Sequence, residues 1–213
     1  MVNSQLLINL ASLVVALSSM IYELGLAQIL SATLGGTSLR YAVTIGLFTA
    51  TLGLGALAFD FIKTRFSREK MFPFFQNILA WTGFLSPFFL IEIKSDLWIL
   101  NHLPIIVIGF LSGIELPLLM EASPEKSRNI VLAYDYVGMF SAAILFPLLL
   151  LPHLGVINAI LVATFMNAVL GLIFLRGVRS GYLYFSLVTL IILDIFTFFY
   201  QKRVLIYATE AFI

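Results

Sequence analysis

Apolar runs of about twenty residues, repeated with little polar chain between them, leave few folds open. A helix needs roughly that length to cross hydrocarbon, where every backbone N–H and C=O must be satisfied within its own segment. Seven such runs follow one another here: Gln5–Ser31, Arg40–Ile62, Phe72–Ile93, Leu97–Met120, Ile130–Leu151, Val156–Leu175 and Tyr182–Tyr200. The connections LGGTSL, KTRFSREK, KSD, EASPEKSRN, PHLG and RGVRSG are too short to fold alone. The expected architecture is all-α, a polytopic transmembrane helix bundle of about seven spans. It forms one helical domain over residues 1–200, with a short tail at 201–213.

Composition excludes the alternatives. Hydrophobic residues make up 61% of the chain and charged residues 11%, against roughly 25% charged in a soluble domain. A net charge of +1 gives no basic surface for nucleic acid, and the absence of cysteine removes disulfides, thiolate nucleophiles and cysteine metal sites. Neither His102 nor His153 has a second ligand at metal spacing, so no metal or other cofactor is expected. The N-terminus MVNSQ has no basic leader, and the first run is expected to stay as a helix. Lysine and arginine are unevenly shared: eight lie in the even-numbered loops and four on the other side. The positive-inside rule therefore puts the N-terminus in the cytoplasm of a bacterial-type inner membrane protein.

Within the runs, small residues recur at helical spacing. Ser12, Ala16, Ser19, Glu23 and Ala27 share one face of the first, and Ala42, Gly46, Ala50, Gly53, Ala56 and Asp60 one face of the second. Such stripes let membrane helices approach closely. The first two helices are thus expected to meet through Gly46 and Gly53, with Gly113 and Gly138 serving later helices in the same way. Pro117 is expected to bend or end the fourth span.

The stripes carry acids. Glu23 (next to Tyr22), Glu115, Asp135 and Asp194 lie inside apolar runs, and Asp60 at the inner end of the second. Each costs about 2.5–3.5 kcal/mol to insert, and no base lies within a span to neutralise it. One reading makes them interhelical glue, hydrogen-bonded to Tyr22, Tyr136, Ser112 or Asn158. The other makes Tyr22, Glu23, Asp60, Glu115 and Asp135 a polar interior that accepts a small cation or proton. In that reading Glu115 and Asp135 form an inner vestibule, with Glu23 a separate point further out.

The series Tyr22-Glu23-Leu24, Gly46-Leu47-Phe48, Gly53-Leu54-Gly55, Gly113-Ile114-Glu115-Leu116-Pro117 and Asp135-Tyr136-Val137-Gly138, followed by the Pro147 to Gly155 segment, resembles the membrane region of bacterial spermidine-synthase-like (polyamine aminopropyltransferase-like) proteins. The likeness runs from about Leu6 to Leu175, and the tail Val204–Glu210 is similar to that family's lead into its catalytic domain. In the family a multi-helix part precedes a soluble aminopropyltransferase domain. Its Gly-rich nucleotide loop and catalytic aspartate do not follow within these 213 residues, so the resemblance carries no enzyme activity over to them. It implies a membrane module that anchors or partners a separately encoded soluble aminopropyltransferase-like protein, or a homo-oligomer in the bilayer. The alternatives are a carrier or channel for polyamines or protons, and a structural subunit of another membrane complex.

Overall fold

Ser12, Ser18 and Tyr22 lie on successive turns of one helix, and each bonds to a segment more than a hundred residues later. That helix, α1 (Ser4–Leu34), is the axis of the bundle. The computed structural model describes residues 4–92, 98–176, 178 and 180–210. Around α1 stand α2 (Thr37–Ile62), α3 (Arg68–Glu92), α4 (Trp98–Ala122), α5 (Arg128–Leu145) and α6 (Leu151–Phe174), while α7 (Gly181–Glu210) packs on α6 and α3. Among the described residues there is no strand. The third connection at Lys94–Asp96, Arg179 and the chain end at 211–213 lie outside the described residues.

Gly35 and Gly36 make the turn from α1 to α2 with φ of 70° and 68°, a left-handed conformation that costs glycine little. Between α5 and α6, by contrast, no loop forms. Phe146–Leu150 widens into a π turn and the helix runs on until Gly155, where the backbone leaves helical geometry. Six helical stretches, rather than the expected seven, are long and apolar enough to cross a membrane, with Glu125–Phe174 counted as one despite the break at Gly155. The reason lies in the sequence between the expected fifth and sixth spans: Pro152-His153-Leu154 is apolar enough to continue a helix, and His153 Nδ1 sits 2.9 Å from the Leu149 carbonyl one turn back. The 50-residue segment nevertheless doubles back. Gly155 takes φ 79° and ψ 167°, a backbone region essentially restricted to glycine. As a result α5 runs alongside α1 in the same direction, with Val131 at Ser12 and Gly138 at Leu13 and Ala16. α6 runs the opposite way, with Thr164 at Tyr22 and Asn167 at Ser18.

Three further features bear on the expectations. Helix α2 packs most extensively against α4, not α1. A Cβ on Gly55 would strike the Phe110 carbonyl, and one on Gly113 the Leu52 carbonyl, whereas Gly46 and Gly53 have no neighbour within 4 Å. Pro117 does not end α4, which continues to Ala122. The C-terminal helix passes the expected boundary at residue 200 without a break and reaches Glu210.

Candidate functional site

Small side chains on α1 leave room in front of an acid. Ala16 and Ser19 precede Glu23 on the same face, and the space they do not fill opens into a cavity of about 850 Å3 between α1, α2, α4 and α5. Each helix contributes residues three or four apart. On α5 these are Arg128, Leu132, Asp135 and Met139; on α4, Ser112, Leu116 and Met120; on α2, Phe48, Leu52, Ala56 and Asp60. That spacing places each set along one helix face.

The cavity has a charged end and a deep end. At the first, where α2 and α4 finish and α5 begins, Lys63 Nζ lies 2.7 Å from Asp60 Oδ1 and 3.1 Å from Glu121 Oε2. The same ammonium stands over the Phe59 ring, 5.3 Å from its centroid. Hydrogen bonds to Asp60 first and Glu121 second hold it above the usual lysine value. Gln5 and Ser123 join the start of α1 to the same end through a 2.8 Å bond. Asp135 lies further in, and Glu23 deeper still.

These two inner acids are the unusual feature. Glu23 is 5% exposed and Asp135 8%. Both line the cavity, and among the described residues neither carboxyl makes a hydrogen bond or ion pair. Ser112, 6% exposed, lines the same space with its Oγ unpaired. Buried polar groups without partners cost free energy unless water or a ligand completes them.

The structure thus brings together Glu23, Asp60 and Asp135, and separates them from two residues expected beside them. Glu115 is fully buried and faces α3, where Gln76 Nε2 donates to its Oε1 at 2.6 Å. It does not line the cavity. Tyr22, one residue from Glu23 and so turned about 100° around the helix, points the other way. Its hydroxyl donates to Thr164 Oγ1 at 3.2 Å and accepts from Asn167 Nδ2 at 3.2 Å, with its ring against Gly83. Ser18 Oγ extends the network to Asn167 Oδ1 at 2.7 Å. Gly113 and Gly138 sit at helix contacts, α2–α4 and α1–α5 respectively, while Gly46 and Gly53 do not. Asp194 is buried on α7, away from the cavity lining. The Lys63–Glu121–Arg128 mouth and the Gln76, Thr164 and Asn167 partners escaped the sequence reading. Neutral polar residues inside apolar runs were the available signal for the latter, and Asp60–Lys63 at i,i+3 for the former. Among the described residues no cluster of three metal-ligating side chains occurs.

No protein-family model matches the chain, and no solved structure matches it. Curated relatives do. It is 31% identical over 182 residues to polyamine aminopropyltransferase 1 of Streptomyces coelicolor, an alignment covering 80% of this chain and 34% of the relative. To polyamine aminopropyltransferase 2 of Ralstonia nicotianae it is 32% identical over 164 residues, 71% of this chain and 32% of the relative. To polyamine aminopropyltransferase 2 of Aquifex aeolicus it is 27% identical over 214 residues, 92% of this chain and 41% of the relative. The chain therefore spans about a third of the length of the curated relatives it matches first.

Proposed function

We propose that this chain is the membrane-embedded helical module of a polyamine aminopropyltransferase-like system, and that it anchors a soluble aminopropyltransferase-like unit at a bacterial inner membrane. The observation that carries this reading is the shape of the alignments. Most of this chain matches about a third of each relative, and its described residues are long apolar helices without a strand. Such a region has no sheet edge or loop cluster on which to build a nucleotide site, but it has every property of an anchor.

The basic connection holding Lys63, Arg65, Arg68 and Lys70 supports a cytoplasmic position for the α2–α3 turn. In this cysteine-free chain, Ser67→Cys tests that orientation: an impermeant thiol reagent should leave it unlabelled in intact cells and label it in inverted vesicles. The functional test is affinity capture of the tagged chain in mild detergent, with mass spectrometry of what accompanies it. Co-purification of an aminopropyltransferase-like protein, with aminopropyl transfer to putrescine by the complex and not by the chain alone, is expected. A folded, monodisperse chain that captures no such protein, or that transfers the group unaided, overturns the anchor reading. A second reading, a carrier of small cations, is supported by one observation, the cavity that holds unpaired Glu23 and Asp135.

A further inference from the structure

The mouth of the cavity already holds an alkylammonium group. Lys63 brings a primary ammonium on a four-carbon stem between two carboxylates and over the face of Phe59. Carboxylate contact and an aromatic face are the two attractions that select such a cation. Further in, the same carboxylate chemistry repeats at Asp135 and again at Glu23, and among the described residues neither forms an ion pair, although Arg128 lines the cavity nearer the mouth. Unpaired Ser112 Oγ adds a hydrogen-bond acceptor to that interior. The same cavity is lined by Met20, Met120, Met139 and Phe48. Unbranched thioethers and an aromatic ring suit a run of methylenes better than a compact hydrated ion, which would need more oxygen ligands than two acids and a hydroxyl provide.

The distance between the acids narrows the ligand. Val131 is level with Ser12, and the Phe146 side chain meets the position of Gly25. Gly138 lies against Leu13 and Ala16, so Asp135 is level with about residues 12–14 of α1, nine to eleven residues before Glu23, a separation of about 14–17 Å along the axis at 1.5 Å per residue. An extended chain gains about 1.2 Å per bond. With a contact of about 2.8 Å to a carboxylate at each end, a triamine with terminal nitrogens nine bonds (about 11 Å) apart bridges about 17 Å, and a diamine with five bonds (about 6 Å) about 12 Å.

We propose that this cavity binds a linear aliphatic polyamine of triamine length, one terminal ammonium at Glu23, the other at Asp135, and the methylenes along the methionine wall. The choice of a polyamine among linear amines rests on the functional reading above; the choice of an extended chain with an ammonium at each end rests on the cavity.

The test is calorimetric titration of the purified full chain in mild detergent with spermidine, putrescine and 1-butylamine. Spermidine is expected to bind, putrescine at least tenfold more weakly, and butylamine below detection. Glu23→Gln and Asp135→Asn should each weaken spermidine at least tenfold while the melting temperature without ligand stays within a few degrees. Met20→Lys keeps both acids and places a tethered ammonium one turn before Glu23; it should abolish binding by occupying the inner station. Spermidine affinity unchanged in the double amide variant or in Met20→Lys, equal binding of putrescine, or no binding by the folded parent overturns the proposal. Each of those failures leaves the affinity capture result unaffected, so the site and the anchor reading stand or fall separately.

Discussion

Gln76 Nε2 and Glu115 Oε1 meet at 2.6 Å across the α3–α4 contact, and this bond turns the acid away from the cavity it was expected to line. The other polar atom of each side chain, the Gln76 carbonyl Oε1 and Glu115 Oε2, is buried without a hydrogen-bond partner. Glu115→Gln keeps the shape and one bond of this pair and should leave spermidine titration unchanged, in contrast to the same substitution at Glu23. Glu115→Ala strands the Gln76 amide and should lower stability by about 1–3 kcal/mol, read from thermal unfolding in detergent. Weaker amine binding in Glu115→Gln would bring Glu115 back into the site.

Tyr22 holds α1 to α6 through Thr164 and Asn167. Tyr22→Phe removes the shared hydroxyl and keeps the ring against Gly83. Interhelical hydrogen bonds in membrane proteins average about 0.6 kcal/mol, with a maximum near 1.7. A loss of about 1 kcal/mol is expected, with amine binding intact because Tyr22 faces away from the cavity. A Tyr22→Phe protein as stable as the parent would show the network to be idle.

Three glycines separate space from backbone conformation. Gly53 and Gly155 both have nothing within 4 Å of an added Cβ, but only Gly155 has a positive φ. Gly53→Ala should be neutral or stabilise by about 0.5–1 kcal/mol, since helical glycine is costly. Gly155→Ala should destabilise by about 1–3 kcal/mol through strain alone. Gly113→Leu, forced against the Leu52 carbonyl, should cost about 1–3 kcal/mol or more by overpacking. Melting curves for the three variants in one detergent decide the order.

Lys63 gives the bundle a pH dependence with a definite sign. Its ammonium is favoured by Asp60 and Glu121 in the folded chain, so its value is raised. The stabilisation is complete below the unfolded lysine value of about 10.4 and is lost as pH rises through the higher folded one. The melting-temperature gap between the parent and Lys63→Gln should therefore be constant near neutrality and close only in strongly alkaline buffer. A gap that closes below about pH 9 would contradict the pairing.

Sequence periodicity made the helices legible because apolar runs of membrane length admit little else. It identified small-residue stripes but not their partners. Gly53 and Gly55 are two residues apart and therefore face nearly opposite sides of α2, and nothing local says that the side of Gly55 meets α4. The same limit governs the acids. Glu23, Asp60 and Asp135 were identified as a polar interior and share one cavity, yet Glu115 has the same composition around it and is turned to Gln76. Which side of a helix faces which neighbour is a tertiary fact. The join of α5 to α6 was hidden for another reason: a proline and a histidine look like a loop, while the reversal is made by one glycine dihedral.

The helix at the centre of the bundle comes earlier in the chain than every segment that completes its polar bonds. Its polar groups find their partners at Val131, Thr164 and Asn167, separated from them by 119, 142 and 149 residues. Until those segments are made, Ser12, Ser18 and Tyr22 lack their final partners, and an inserting α1 must be shielded by α2–α4, by the insertion machinery or by water at the interface. The packing of α1 is therefore completed only once α5 and α6 are in place.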